Sequence, residues 1–225
     1  MFDDIRNRID FFLRNKLRFS RKNYVEKDSE IIERCRLENI YTCQFLEKSF
    51  KKIEKESLDI LDIGCKNWFY AKGEYDFFKT FSDKFCLDGV ELDAYRLYSN
   101  FYSRYEVAKY HTRGLLNTNY IAKDLLDIEK KYDYIIWILP FVVIEPLIFW
   151  GLPKKYFCPQ ILLNHAYNLL NQNGQMLIIN QGENEAKAQK DLLEELNIPY
   201  KFIGEIEDKQ ELYKYKRYGY LVQKF

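Results

Sequence analysis

At 225 residues the chain has room for one well-buried domain plus an appendage and is short for two ordinary domains. Its 35 Lys+Arg nearly cancel its 34 Asp+Glu, so no global basic field demands a nucleic-acid partner and no acidic tail repels one. Five cysteines, odd in number, scattered and without a CxxC pair, argue against a disulfide frame or a metal site and for reduced thiols.

The first 56 residues contain neither proline nor glycine. Ile5, Ile9, Phe12, Leu13 and Leu17 recur at helical spacing, as do Ile31, Cys35, Leu46 and Phe50, so two or three helices are predicted with a break across 20–28. The first is basic, with Arg6, Arg8, Arg14, Lys16, Arg18, Arg21 and Lys22 in one stretch. A solvated helix face is the favoured reading, and a clamp on an anionic substrate or membrane surface is the alternative. With Asp3 and Asp4 at its head, the N-terminal stretch lacks the basic-then-apolar order of a secretory signal. The longest apolar run, 134–150, is broken by Pro140, Glu145 and Pro146. A cytoplasmic protein with no membrane span is expected.

From Leu58 the pattern becomes strand and helix in alternation. Strands are predicted at 59–63, 87–92, 119–122, 132–138, 175–180, 200–206 and 218–223, with helices over 68–82, 94–110, 124–130, 159–171 and 185–196. Asn173-Gly174 reads as the C-cap of the fourth helix. Alternation implies parallel pairing through right-handed crossovers, while the last two strands, joined only by DKQELYKYK, are expected to pair antiparallel. The fold class is therefore α/β, a doubly wound seven-stranded sheet with an antiparallel last strand, divided into a helical extension (1–56) and a Rossmann-like domain (57–225).

The stretch SLDILDIGCKNWFY (57–70) is an apolar strand ending at Asp62 and Gly64, then a turn into an aromatic helix. This order, with Asp62-Ile63-Gly64-Cys65 at its head, resembles the class I S-adenosylmethionine-dependent methyltransferases over about residues 57–225. Members often carry D-x-G-C-G-x-G, and Lys66 and Trp68 stand here in place of the second and third glycines. The resemblance implies S-adenosylmethionine as cofactor, with Asp62, Gly64, Cys65 and Lys66 around its methionine part. Lys66 is a candidate partner for the cofactor carboxylate, and Trp68 a packing residue. It also implies that Glu91, ending LDGVE, accepts the ribose hydroxyls beside Leu92, and that Asp93 caps a helix starting at Ala94. Asp124 and Leu125 stand where the family contacts adenine, and an N-cap role for Asp124 is an equal alternative. Ile138 ends the fourth strand, but Ile138-Leu139-Pro140-Phe141 lacks the polar residue and first proline of base amino-methylating members. That departure argues against adenine-N6 or cytosine-N4 chemistry, and with the charge balanced a small-molecule or sugar or lipid acceptor is expected, with nucleic acid not excluded.

The insertion 142–158, rich in proline and aromatics, reads as a substrate lid. Phe141, Glu145, Trp150 and Tyr156 are its candidate contacts, with Trp137 as a further wall, and Asn180 and Glu183 follow the fifth strand. His111 and His165 read as packing or surface residues. A methyltransferase-like module that binds without catalysis is the competing reading, and the missing GxGxxG argues against a nicotinamide dinucleotide.

Overall fold

The computed structural model describes residues 29–98 and 101–224. The predicted helix carrying Ile5 to Leu17 and its basic stretch lie outside them. The described chain opens with helix α1 (Ser29–Ser49). Seven strands follow: β1 (Leu58–Ile63), β2 (Phe85–Val90), β3 (Thr118–Ile121), β4 (Tyr132–Ile138), β5 (Leu170–Gln181), β6 (Tyr200–Ile206) and β7 (Arg217–Gln223). They form one sheet in the order β3-β2-β1-β4-β5-β7-β6. The first five pair parallel, and β7 runs antiparallel between β5 and β6. This is the expected doubly wound arrangement.

Helices α2 (Ala71–Phe81), α3 (Arg104–His111), α4 (Ile144–Phe149), α5 (Pro159–Leu169) and α6 (Gly182–Glu195) are the other α-helices among the described residues. One face of the sheet buries Tyr41, Phe45 and Leu46 of α1, Phe50 just after it, and Phe77 and Phe78 of α2 against Tyr134. Phe50 meets Tyr134 edge-on with centroids 5.1 Å apart. Burying a ring of this kind contributes roughly 1.5–3 kcal/mol, so the described part of the extension belongs to the core. The other face buries Leu163 and Ala166 of α5 and Leu192 and Leu193 of α6.

Several boundaries differ from the sequence reading, and the helix expected over 124–130 is only the 3₁₀ turn Leu125–Asp127. The expected helix over 94–110 begins only at Arg104, because Ser103 and Glu106 form a reciprocal capping box there. Asp93 consequently caps no helix at Ala94; it pairs with Arg96 at 2.5 Å. Asn173-Gly174 does not cap α5. Tyr132 pairs with Leu170 and Tyr134 with Gln175, so the residues between bulge from β5, with Asn173 left-handed at φ 64°. The segment after Phe141 holds the short helix α4 and a 3₁₀ turn, Lys154–Tyr156.

Candidate functional site

At the carboxyl ends of the parallel strands lies a cavity of about 460 Å³, within the usual range for small-molecule sites. The loop after β1 forms its floor. Gly64, Lys66 and Trp68 all have positive φ, at 72°, 55° and 47°. The two positions that have lost glycine thus keep the left-handed backbone that glycine adopts freely, at a cost of roughly 1–2 kcal/mol each. The indole of Trp68 compensates by packing: it is fully buried and donates from Nε1 to Glu74 Oε2 at 2.8 Å. Gly89 of β2 makes room for it, since a Cβ there would stand 2.8 Å from the indole and 2.9 Å from Cys65 Sγ. The loop is further held by Gly64 N–H donating to Val90 O (2.8 Å) and by the Tyr120 hydroxyl donating to Lys66 O.

Glu91 stands just past β2 and closes the same loop from the side. Its carboxylate accepts from Lys66 N (2.9 Å) and Asp93 N (2.8 Å) and pairs with Arg104 Nη1 at 3.3 Å. It lines the cavity with these three donors in place. Of a carboxylate's roughly four acceptor positions about one is left, so gripping two hydroxyls at once requires Arg104 to give way. Trp150, from the insertion, covers the spot: its ring lies 4.4 Å from Lys66 Nζ and 5.5 Å from the Arg104 guanidinium. Burial first, then the Arg104 charge, pulls Lys66 down to about 8.

Beneath the loop, Asp62 and Glu74 are fully buried together. Asp62 accepts from the Tyr70 hydroxyl at 2.9 Å, while Asp62 Oδ1 and Glu74 Oε1 have no donor. Burial raises both carboxyls well above their ordinary range, and each is raised further by a neighbouring carboxylate, Glu91 for Asp62 and Asp62 for Glu74. A proton held between the two orphan oxygens satisfies both. The folded state therefore holds a proton that the unfolded chain releases above about pH 4. Stability falls as pH rises from there toward the folded pKa, by up to about 1.4 kcal/mol per unit per proton. Glu74→Gln, whose amide replaces the shared proton, is expected to flatten this decline in denaturant unfolding between about pH 5 and pH 8. An unchanged slope would place the proton elsewhere.

Of the residues singled out in the sequence, Gly64, Lys66, Glu91, Leu92, Asp124, Leu125 and Ile138 line the cavity, as do Phe141, Trp150, Tyr156 and Trp137. Asp124 caps the turn Leu125–Asp127 by accepting from Leu126 N at 3.0 Å. Five candidate contacts stand outside the lining, Glu183 among them, exposed on the first turn of α6. Asp62 and Cys65 support the loop from below, Glu145 is exposed on the first turn of α4, and Asn180 is fully buried with both amide atoms unpartnered. His165 bonds to Ile128 O at 3.0 Å, away from the cavity. The sequence reading missed Arg104, Tyr70 and Glu74, and a second group of polar residues contributed by α1 and the β6–β7 segment: Arg34, Glu38, Tyr213 and Arg217. These are brought in from distant segments and share no motif. All five cysteines are free, and no described helix is long and apolar enough to cross a membrane.

No protein-family profile and no curated protein sequence matches the chain. Solved structures do. A SAM-dependent methyltransferase from Aquifex aeolicus matches with a TM-score of 0.61 at 15% identity, over 84% of this chain and 93% of its own. Magnesium protoporphyrin IX methyltransferase from Synechocystis, with bound SAH, matches at 0.52 and 10% identity over 96% and 94%. The plantazolicin methyltransferase BpumL in complex with SAH matches at 0.50 and 16% over 97% and 94%. Their named substrates differ widely, and identities this low carry the architecture alone. With its strand order, its antiparallel β7 and its loop after β1, the chain has the class I S-adenosylmethionine-dependent methyltransferase fold.

Proposed function

We propose that this protein transfers a methyl group from S-adenosylmethionine to an acceptor held in the apolar part of the same cavity, a small molecule or a sugar or lipid intermediate in preference to nucleic acid. The observation that carries this reading is the left-handed loop 64–68 opening into a cavity at the carboxyl edge of β1, β2 and β4. In this reading Lys66 holds the cofactor's carboxylate, Glu91 its ribose, and Asp124 with Leu125 its adenine. The cofactor supplies a methyl group on a sulfonium, whose positive charge is lost on transfer. The chain's part is to align the acceptor with that methyl and to exclude water. Phe141, Trp150 and the α1 residue Phe45 wall the space for it, and residues 1–56 act as its cover.

Calorimetric titration with S-adenosylmethionine, S-adenosylhomocysteine and NAD tests the cofactor, and micromolar binding of the first two alone is expected. Lys66 adds a pH signature. An anion prefers the charged amine, so affinity for S-adenosylhomocysteine should fall as pH rises through about 8, by up to about tenfold per unit. Lys66→Met should bind more weakly and lose that dependence. A wild-type affinity flat in this interval would remove Lys66 from the carboxylate. The competing non-catalytic reading draws on the cavity's carboxylates, each already engaged: Glu38 by Arg34, Glu91 by Arg104 and Asp124 by its own turn. Cofactor binding without turnover of any acceptor would favour it.

A further inference from the structure

The polar group at the far end of the cavity has an unbalanced charge. Arg217 begins β7, paired with Gln181 at the carboxyl edge of β5. Its strand lies three places from β1, or about 14 Å along the sheet edge at ordinary strand spacing. The residue is 8% exposed, lines the cavity, and has no hydrogen-bond partner at Nε. The guanidinium lies on the Tyr213 ring, 3.3 Å from its centroid, and 5.7 Å from that of Tyr41. Glu38 and Glu185 are the nearby acids, but Glu38 is already occupied by Arg34, at 3.0 Å from Nε and 2.8 Å from Nη2, and by the Tyr213 hydroxyl, while Glu185 accepts from Gln181 N at 3.0 Å. Arg34 and Glu38 cancel. Among the described residues Arg217 forms no ion pair, so one buried positive charge stands without a direct counter-ion at this end of the cavity. Burial pulls its pKa down, with Tyr41 and Glu38 opposing.

An uncompensated buried charge is expensive unless a counter-ion arrives. A guanidinium stacked on an aromatic ring is already oriented, so it loses little freedom in gripping a carboxylate. We propose that Arg217 anchors the carboxylate of the methyl acceptor, making the acceptor an amphiphilic organic acid whose apolar body lies along Phe45, Phe69, Phe141, Leu147 and Leu192. This rests on the methyl-transfer reading only for the word acceptor; the anion site stands on the geometry. The carboxylate is an anchor and takes no part in bond making, and Arg217 is a binding residue.

The test is a titration of the full chain, saturated with S-adenosylhomocysteine, with decanoate and 2-naphthoate, each against its primary amide. The wild type should bind at least one acid about tenfold or more tighter than its amide, the discrimination expected of a charged hydrogen-bonded pair. Arg217→Gln should remove that preference and Arg217→Lys retain part of it, both binding S-adenosylhomocysteine within about twofold of wild type. Equal affinity for acids and amides, or binding of neither, would overturn the proposal, and this comparison needs no variant to fold. A tenfold loss of S-adenosylhomocysteine in Arg217→Gln would overturn it too, placing the arginine on the cofactor. If the wild type fails to bind S-adenosylhomocysteine, the cofactor reading falls, and the acid–amide comparison on the unloaded chain still decides the anion site.

Discussion

Replacing Trp68 by alanine is expected to lower the unfolding free energy by about 3–5 kcal/mol, the range for emptying a buried aromatic site. Two losses combine. The indole is fully enclosed between the loop and Gly89 of β2, so its removal leaves a void beside a strand with no side chain to fill it. Glu74, fully buried, also loses the donor on its Oε2. The substitution keeps a Cβ at a left-handed position, so no strain is relieved. Trp68→Gly separates the two contributions: it frees the φ of 47° and should still fall well below wild type, because packing outweighs the roughly 1–2 kcal/mol of backbone strain. Denaturant unfolding of both variants decides the matter. A change below 1 kcal/mol for Trp68→Ala would mean that the loop's shape does not depend on the indole.

Glu91→Ala is expected to cost about 3 kcal/mol of stability and to weaken S-adenosylhomocysteine binding by about tenfold or more, for separable reasons. Stability falls because Arg104, with a side chain 6% exposed, keeps its charge and loses its 3.3 Å partner. Asp93, at 3.5 Å, recovers only part of that interaction. Affinity falls because the ribose contact goes, and with it the acceptor that pins Lys66 N–H. Adding Arg104→Met to Glu91→Ala removes the orphaned cation, so unfolding should return toward wild type while binding stays weak. Recovery of binding in the double variant would show that Glu91 acts only as a counter-ion, and the ribose assignment would fall.

Much of the architecture was legible because it rests on short-range signals. The structure reproduces the limits read for Tyr132–Ile138, apolar but for Asp133, and those read for Tyr200–Ile206. The errors came where two local signals competed. The alternation of strands and helices placed a helix over 94–110, yet Ser103 and Glu106, three residues apart, carried the capping box that sets its start. Asn173-Gly174 had the chemistry of a helix cap and of a strand bulge alike, and pairing with Tyr134 and the C-terminal Lys224 selected the bulge. The site divides the same way. Gly64, Lys66, Glu91 and Asp124 follow strand ends, where topology alone places them around one cavity. Arg217 and Glu38 are 179 positions apart in number and meet only because α1 packs beside the start of β7. Nothing local in either segment announces that meeting.

The left-handed residues Lys66 and Trp68 bear on how such loops are found. Pattern searches keyed to glycine pass over this one, although its backbone follows the path that glycines would take. What the fold requires at those two places is a torsion angle, and an anchored side chain meets the requirement as well as the absence of one. The exchange also widens what the loop can do. Where glycines offer only peptide groups, this chain presents an amine that can change charge near neutral pH, and natural variation at these two positions is a place to look for altered ligand preference.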